Sequence, residues 1–162
     1  MTAAQKFIAE MQIGPSGLVI AGGVDRANRT YRPGEPMTVS VRVNKDAYVA
    51  VLRVRRSGET TLLFPNRLQP KAAVVANTSL QIPASDTAAP LTAGKTSPEL
   101  IEIVAATAGG SWLFTKAPSG DAAFVELGAT TRALAKEIAT SLRSHGGSET
   151  AAASQIVLIR PN

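Results

Sequence analysis

Cysteine is absent from the 162 residues of this chain, and histidine occurs only once. The lack of cysteine excludes disulfides, thiol catalysis and thiolate metal sites, and a single histidine excludes a site built from several histidines. The lack of cysteine does not identify a cellular compartment, because a chain without cysteine is compatible with oxidising and with reducing surroundings. At this length, one domain can bury a sizeable core without covalent crosslinks.

Aromatic residues are scarce, at 4% of the chain, so the core must be built mainly from valine, leucine, isoleucine and alanine. Long apolar runs are also missing: no stretch reaches the roughly 18 residues of a membrane span, and residues 1–20 lack the apolar centre of a signal peptide. Two localisations are left open. The protein is cytoplasmic, or it is periplasmic or envelope-associated and a leader or an upstream domain has been removed.

Basic residues exceed acidic ones, giving a formal net charge of +5. The tight basic cluster is formed by Arg53, Arg55 and Arg56. In a strand, Arg53 and Arg55 share a face, so the cluster could bind an anion such as a nucleic acid, an anionic glycan or a lipid headgroup. The alternative interpretation is a solvated strand end that enters a turn. No aromatic residues alternate with the arginines, as a single-strand nucleic-acid platform requires.

Three successive β-strands are predicted between Tyr31 and Asn66. Residues 37–44 alternate apolar and polar side chains, residues 47–55 are apolar enough for a central strand, and residues 60–64 end at Pro65. Turn chemistry separates them, since Pro33-Gly34 suits a type II turn and Gly58 lies in a second turn.

The rest of the chain adds two helices and several short strands. Residues 2–11 resemble a short helix, and residues 128–144 form an amphipathic one with Leu134, Ile138 and Leu142 at helical spacing. Further strands are predicted at residues 18–21, 74–75, 80–82, 99–107 and 155–159. In residues 99–107, Ile101, Ile103 and Ala105 should face one way and Leu100, Glu102 and Val104 the other.

These elements predict a mainly β fold, an antiparallel β-sandwich of immunoglobulin-like or related kind, with one C-terminal amphipathic helix before a final strand. The helix would cover one edge or open end. Residues 1–17 are predicted to be an N-terminal segment, either a short helix or a linker remnant. Residues 18–162 would then form a single domain, including the helix at about 128–144.

Short motifs in a fixed order give the sequence a family resemblance. They are a Y-x-x-G-E turn at Tyr31, Gly34 and Glu35, then Tyr48 in an apolar strand, and last L-F-P-N at residues 63–66. On these motifs residues 18–107 resemble domain-of-unknown-function family 4384. The resemblance implies a bacterial β-sandwich accessory module, often attached to envelope proteins, peptidase-like domains or kinases. It implies no established activity, no catalytic residues and no cofactor.

The motif residues are interpreted as structural. Tyr48 shares a strand face with apolar neighbours, and Phe64 is the last inward residue before Pro65. Glu35 should accept hydrogen bonds from its own turn, and Asn66 should bond backbone groups of the turn that it follows.

No arrangement of residues predicts catalysis or metal binding. Gly94-Lys95-Thr96 ends like a phosphate-binding loop, but Ala89 stands where that motif needs glycine. His145 suits the end of the predicted helix, and the acidic residues are scattered without metal-loop spacing. The sequence therefore predicts a protein that is not an enzyme and has no metal.

Two binding hypotheses remain. The first is a non-catalytic protein-binding or scaffolding module of a bacterial envelope or secretion-associated assembly, with another protein of that assembly or an upstream domain as partner. Strand edges and the loops at residues 84–98 and 108–121 are its expected contact regions. Trp112 and Phe114 either anchor a partner or a sugar ring, or belong to the core beneath the helix. The alternative is an anion-binding module that uses Arg53, Arg55 and Arg56.

Overall fold

The computed structural model describes residues 1–11, 17–84, 90–95, 98–109, 112–115, 124–128, 130–144 and 151–161. Its elements, in chain order, are α1 (Ala3–Ala9), β1 (Ile20–Val24), β2 (Thr30–Tyr31), β3 (Val39–Val43), β4 (Ala47–Val54), β5 (Thr60–Phe64), β6 (Ala73–Val74), β7 (Leu80–Ile82), β8 (Glu99–Ala106), α2 (Trp112–Thr115), β9 (Val125–Leu127), α3 (Thr131–Ser144) and β10 (Ala152–Pro161). None of the helices described is long and apolar enough to span a membrane.

The strands form two sheets. The smaller sheet has the order β1-β3-β7, and the larger one has the order β2-β10-β8-β4-β5-β9, with β6 added beside β4. This confirms the prediction of a mainly β fold with a C-terminal helix before the last strand. The expected antiparallel pairing holds for these strands with one exception. The two residues of β2 run parallel to the end of β10.

Alternation of side chains sets the strands in register. In β3 the valines at 39, 41 and 43 are buried while Ser40 and Arg42 point outward. The predicted turn between β4 and β5 contains Gly58 at φ 100°, a conformation that favours glycine. The strand predicted at residues 18–21 extends further, because Gly22 and Gly23 continue β1 and pair with β3. A Cβ at position 22 would overlap the terminal methyl group of Ile103, which would have to move.

Two hydrophobic cores lie on opposite faces of the larger sheet. Ile101, Ile103 and Ala105 of β8 point into the first core, which the smaller sheet covers. Leu100 and Val104 point into the second core, together with apolar residues of the three helices. The alternation predicted for β8 is confirmed.

The predicted position of the C-terminal helix was wrong. Instead of covering an edge or an open end, α3 packs on the outer face of the larger sheet, where Leu134, Ile138 and Leu142 join the second core. The reason is that β4 and β8 are mostly apolar and are buried on both faces, so the face turned away from the smaller sheet also needs an apolar cover.

The N-terminal helix also docks on the domain. Thr2 and Gln5 form a capping box at its start. The Gln5 side chain also donates hydrogen bonds to the carbonyl groups of Val54 and Pro98, at 3.1 and 2.8 Å. Ile8 is fully buried in the second core. The division of the chain at residues 17 and 18 stays a prediction.

Replacing Phe64 with alanine should lower the free energy of unfolding by about 3–5 kcal/mol. The Phe64 side chain is 2% exposed and lies in the first core, so its removal leaves a cavity. Leu68 is 46% exposed, and Leu68→Ala serves as the matched control with an expected loss below about 1 kcal/mol. Chemical denaturation measures both, and equal midpoints for the two variants would contradict the core position of Phe64.

Candidate functional site

The family motif residues Tyr31 and Glu35 meet in one hydrogen-bonded network. The buried Tyr31 hydroxyl donates to Asp25, whose carboxylate also accepts the N–H of Thr38. The Arg26 guanidinium lies 4.6 Å from the centre of the Tyr31 ring and 2.6 Å from the Glu35 carboxylate. Burial, and after it the bond to Asp25, raises the pKa of Tyr31 well above its ordinary value. The network leaves Tyr31 uncharged and holds the turn in place.

Glu35 closes the same turn from the other side. Its carboxylate accepts the backbone N–H of Arg32 at 2.8 Å, and Gly34 between them adopts φ 85°. The hydrogen bond from Arg26, followed by that from Arg32, lowers the pKa of Glu35. The polar side chains of the motif, Tyr31 and Glu35, therefore form their hydrogen bonds within the protein.

The L-F-P-N motif forms a buried corner after β5. The side-chain amide of Asn66 donates to the carbonyl of Leu63 at 2.8 Å. Its side-chain oxygen accepts the N–H groups of Leu68 and Gln69. Phe64 and Pro65 are buried in front of it. The motif therefore fixes the corner after β5, and its one polar side chain, that of Asn66, is hydrogen-bonded within the protein.

The three arginines do not form one exposed surface. Arg53 lies on the face of β4 that is turned towards the smaller sheet. Its guanidinium is 2.6 Å from the buried Glu99 carboxylate and also donates to the carbonyl of Thr92. Arg55 follows the end of β4 and lies 3.5 Å from Glu59, while Arg56 is exposed. The interpretation of Arg53 as part of a contact surface needs correction, because its charge is neutralised inside the protein.

The aromatic pair after β8 lies on a short helix, α2, where the sequence predicted an irregular loop. Phe114 is buried in the second core, and Trp112 is half-buried against it. The Phe114 ring contacts that of Tyr48, with 6.1 Å between the ring centres. Phe114 thus belongs to the core beneath α3. The aromatic residue that is partly exposed next to it is Tyr48, with 37% of its surface accessible.

Glu102 is a buried carboxyl whose environment the sequence only partly indicated. It was predicted to face the same way as Leu100 and Val104, and it lies on the face of β8 that carries the second core, opposite Leu52 and Ile156. Among the described residues, neither carboxyl oxygen has a hydrogen-bond partner. Burial raises the pKa of Glu102 from 4.5 to about 9, and Ser154, which does not reach hydrogen-bonding geometry, offsets a small part of this. Glu102 is therefore neutral at pH 7.

The outer edge of β10 is the main unpaired backbone in the described part of the larger sheet. One side of β10 pairs with β8 from Ala152 to Ile159. The other side pairs with β2 only at Arg160 and Pro161.

The direction of the free groups follows from the pairing at Arg160, whose N–H donates to the Arg29 carbonyl at 2.9 Å, away from β8. Backbone groups alternate in direction along a strand, so those of Ser154, Ile156 and Leu158 also point away from β8. No strand among the described residues pairs with them.

This edge lacks the features that usually prevent strand pairing. Residues 152–159 contain no charged residue and no proline, and the Ile156 side chain is 38% exposed. The strand is also held firmly. The side-chain amide of Gln155 accepts from the N–H of Gly22 and donates to its carbonyl, at 2.8 and 3.1 Å, joining β10 to the smaller sheet. We define the outward backbone groups of Ser154, Ile156 and Leu158 as the β10 edge.

Several residues considered from the sequence lie outside the described part of the chain. They include His145, Ala89 and Thr96, together with most of the loops at residues 84–98 and 108–121. Among the residues that are described, no group of three or more acidic or histidine side chains could hold a metal ion.

Residues 30–108 match the model of a domain of unknown function, DUF4384, which confirms the resemblance predicted from the motifs. The matched range runs from β2 past the end of β8 and leaves out α1, β1, α2, β9, α3 and β10. No curated protein and no solved structure matches the chain.

Replacing Glu102 with glutamine should make the protein less sensitive to alkaline pH. Because the folded state binds the Glu102 proton more tightly than the unfolded state, the contribution of Glu102 to wild-type stability is fully present below pH 4.5 and is lost as the pH rises from there towards 9. The slope approaches about 1.4 kcal/mol per pH unit. Glutamine keeps the shape without the titration, so the variant should lack this slope.

Urea unfolding between pH 5 and pH 9 measures the effect. Glu137→Gln, on the exposed side of α3, is the control and should follow the wild-type curve. A Glu102→Gln curve parallel to that of the wild type would contradict a buried neutral carboxyl.

Proposed function

Residues 30–108 match the DUF4384 model, and we propose that the chain is a non-catalytic protein-binding module, which holds an extended segment of another protein along the β10 edge. The supporting observation is the row of outward backbone groups at Ser154, Ile156 and Leu158, which no described strand occupies. Addition of a strand supplies affinity through main-chain hydrogen bonds, and alternate side chains supply specificity.

The side chains of β10 indicate which segments fit. On the helix side of the sheet, an added strand would lie beside the exposed Ile156 and Ser154. An apolar or β-branched residue opposite Ile156 would make the most favourable cross-strand pair. Since residues 152–159 carry no charge, the segment is selected by its extended shape and apolar side chains.

The proposal gives no catalytic role to the buried carboxyl groups. Glu99 is 2% exposed and neutralised by Arg53, and Glu102 is enclosed by apolar neighbours. Neither can reach a substrate from outside without opening a core.

Anion binding through Arg53, Arg55 and Arg56 has weaker support. Arg53 is buried with Glu99, and Arg55 lies beside Glu59, so the cluster contributes one unpaired cation, Arg56, among the described residues. One exposed cation gives little affinity for a polyanion, which depends on the number of neutralised phosphates.

The family resemblance extends the proposal to the setting. We expect the partner to be a protein of a bacterial envelope or secretion-associated assembly, or an upstream domain of a longer chain. We also propose that the two sheets around the first core form a β-sandwich of immunoglobulin-like or related kind, because apolar residues of both sheets meet in that core.

Ile156→Pro should abolish binding of extended peptides while leaving the fold intact. Proline removes an N–H that points away from β8 and puts its ring where the partner backbone would approach, but it keeps the ladder to β8. Ile156→Thr is the matched control, because it retains the N–H and a β-branched side chain. Linear peptides selected from a displayed library on the wild type should bind Ile156→Pro about tenfold or more weakly, and should keep most of their affinity for Ile156→Thr.

Amide hydrogen exchange gives an independent readout. The amides of Ser154, Ile156 and Leu158 should exchange rapidly in the free protein and become protected with peptide bound. Peptides that bind wild type and Ile156→Pro equally, or protection confined to other segments, would overturn the proposal.

A further inference from the structure

An open groove lies at the end of the larger sheet where β4 begins. Its volume is about 300 Å³, and its walls come from the start of β4, from β6 and from Thr107 after β8. This is the lower end of the range for ligand pockets and is large enough for one side chain. The groove is formed by other residues than the β10 edge and does not depend on the proposed function.

The aromatic wall of the groove is a fixed tyrosine. The backbone of Gly109 lies over the Tyr48 ring so closely that a Cβ at Gly109 would come within 2.6 Å of Cζ. The Phe114 ring supports Tyr48 from the second core. One part of the ring is therefore covered and held, while the remainder is exposed and lines the groove. An immobilised, half-exposed ring loses little entropy when a ligand stacks on it.

The charged group of the groove is Asp46. One carboxylate oxygen accepts the N–H of Ala76 at 2.8 Å, and Asp46 forms no ion pair with any lysine or arginine of the described residues. Its neighbour Lys45 does not compensate it, since the Lys45 ammonium lies beside Gly17. An acidic group without a counterion thus stands in the groove of a protein whose net charge is +5.

The third wall is aliphatic, with Ala73 and Val75 exposed, while the Val74 side chain is buried in the first core. We propose that the groove binds the side chain of a lysine or arginine in a partner protein. The methylene stem would lie along Ala73 and Val75, and the cation would lie between the Asp46 carboxylate and the Tyr48 ring. An apolar side chain would leave Asp46 unpaired, and an acidic one would be repelled by it.

Titration with blocked amino acids tests the charge requirement. N-acetyl-lysine methylamide and its norleucine counterpart share a similar stem but differ in charge. The lysine compound should shift the methyl resonances of Ala73 and Val75 and bind about fivefold or more tightly than the norleucine compound, and the arginine compound should behave like lysine. Equal affinity for lysine and norleucine compounds would overturn the proposal.

Variants separate a local effect from a general one. Asp46→Asn keeps the acceptor for Ala76 and removes the charge, whereas Glu137→Gln makes the same change in net charge on the exposed side of α3. Lysine binding should weaken about fivefold or more in Asp46→Asn and in Tyr48→Leu, and stay unchanged in Glu137→Gln and in Tyr48→Phe. Equal losses in Asp46→Asn and Glu137→Gln would overturn the proposal.

Ile156→Pro distinguishes this site from the β10 edge. Lysine binding in the groove should be unaffected by that substitution, whatever its effect on peptides that pair with β10. Loss of the Ala73 and Val75 shifts in Ile156→Pro would show that the groove is not an independent site and would overturn the inference.

Discussion

The structure depends on a central strand that is buried on both faces. All eight residues of β8 are buried, so the larger sheet needs an apolar layer on each side. The smaller sheet supplies one layer and the three helices supply the other. Because α1 and α3 lie outside residues 30–108, the family range contains the strand but only part of what covers it. The flanking segments are therefore integral to the stability of the domain.

Two acidic residues of β8 face opposite cores, and each is accommodated differently. Glu99 is paired with Arg53 at 2.6 Å, whereas Glu102 has no hydrogen-bond or charged partner in the described part of the chain and remains protonated. A buried charge is tolerated when it is paired, and a buried carboxyl without a partner takes up a proton instead. Arg53 was predicted to lie on an exposed surface because its partner, Glu99, lies 46 residues further along the chain and local sequence gives no sign of the ion pair.

Sequence patterns predicted the elements whose own residues carry a period. The alternating valines of β3, the apolar β4 and the spacing of Leu134, Ile138 and Leu142 in α3 suffice without knowledge of any neighbour. The two-residue β2, the four-residue α2 and the three-residue β9 were not predicted, because elements this short have no measurable period. The equally short β6 and β7 were predicted because apolar residues there flank a turn at residues 77–79. The β10 edge could not be predicted either, because nothing within residues 152–159 shows that this part of β10 has a neighbouring strand on only one side.

The free edge of β10 can nevertheless be traced to local turn chemistry in a distant segment. A longer β2, running parallel to β10, would have to continue backward from Thr30 to cover Ile156 and Ser154. Arg29 prevents this with a φ of 56°, and Asn28 accepts the N–H of Thr30 in a tight turn, so the backbone leaves the sheet at that point. Strand β6 likewise pairs with β4 only at Ala47 and Tyr48, beside the groove. Both proposed binding surfaces therefore lie where a two-residue strand stops, and the turn at Asn28 and Arg29 is as much a determinant of the β10 edge as β10 itself.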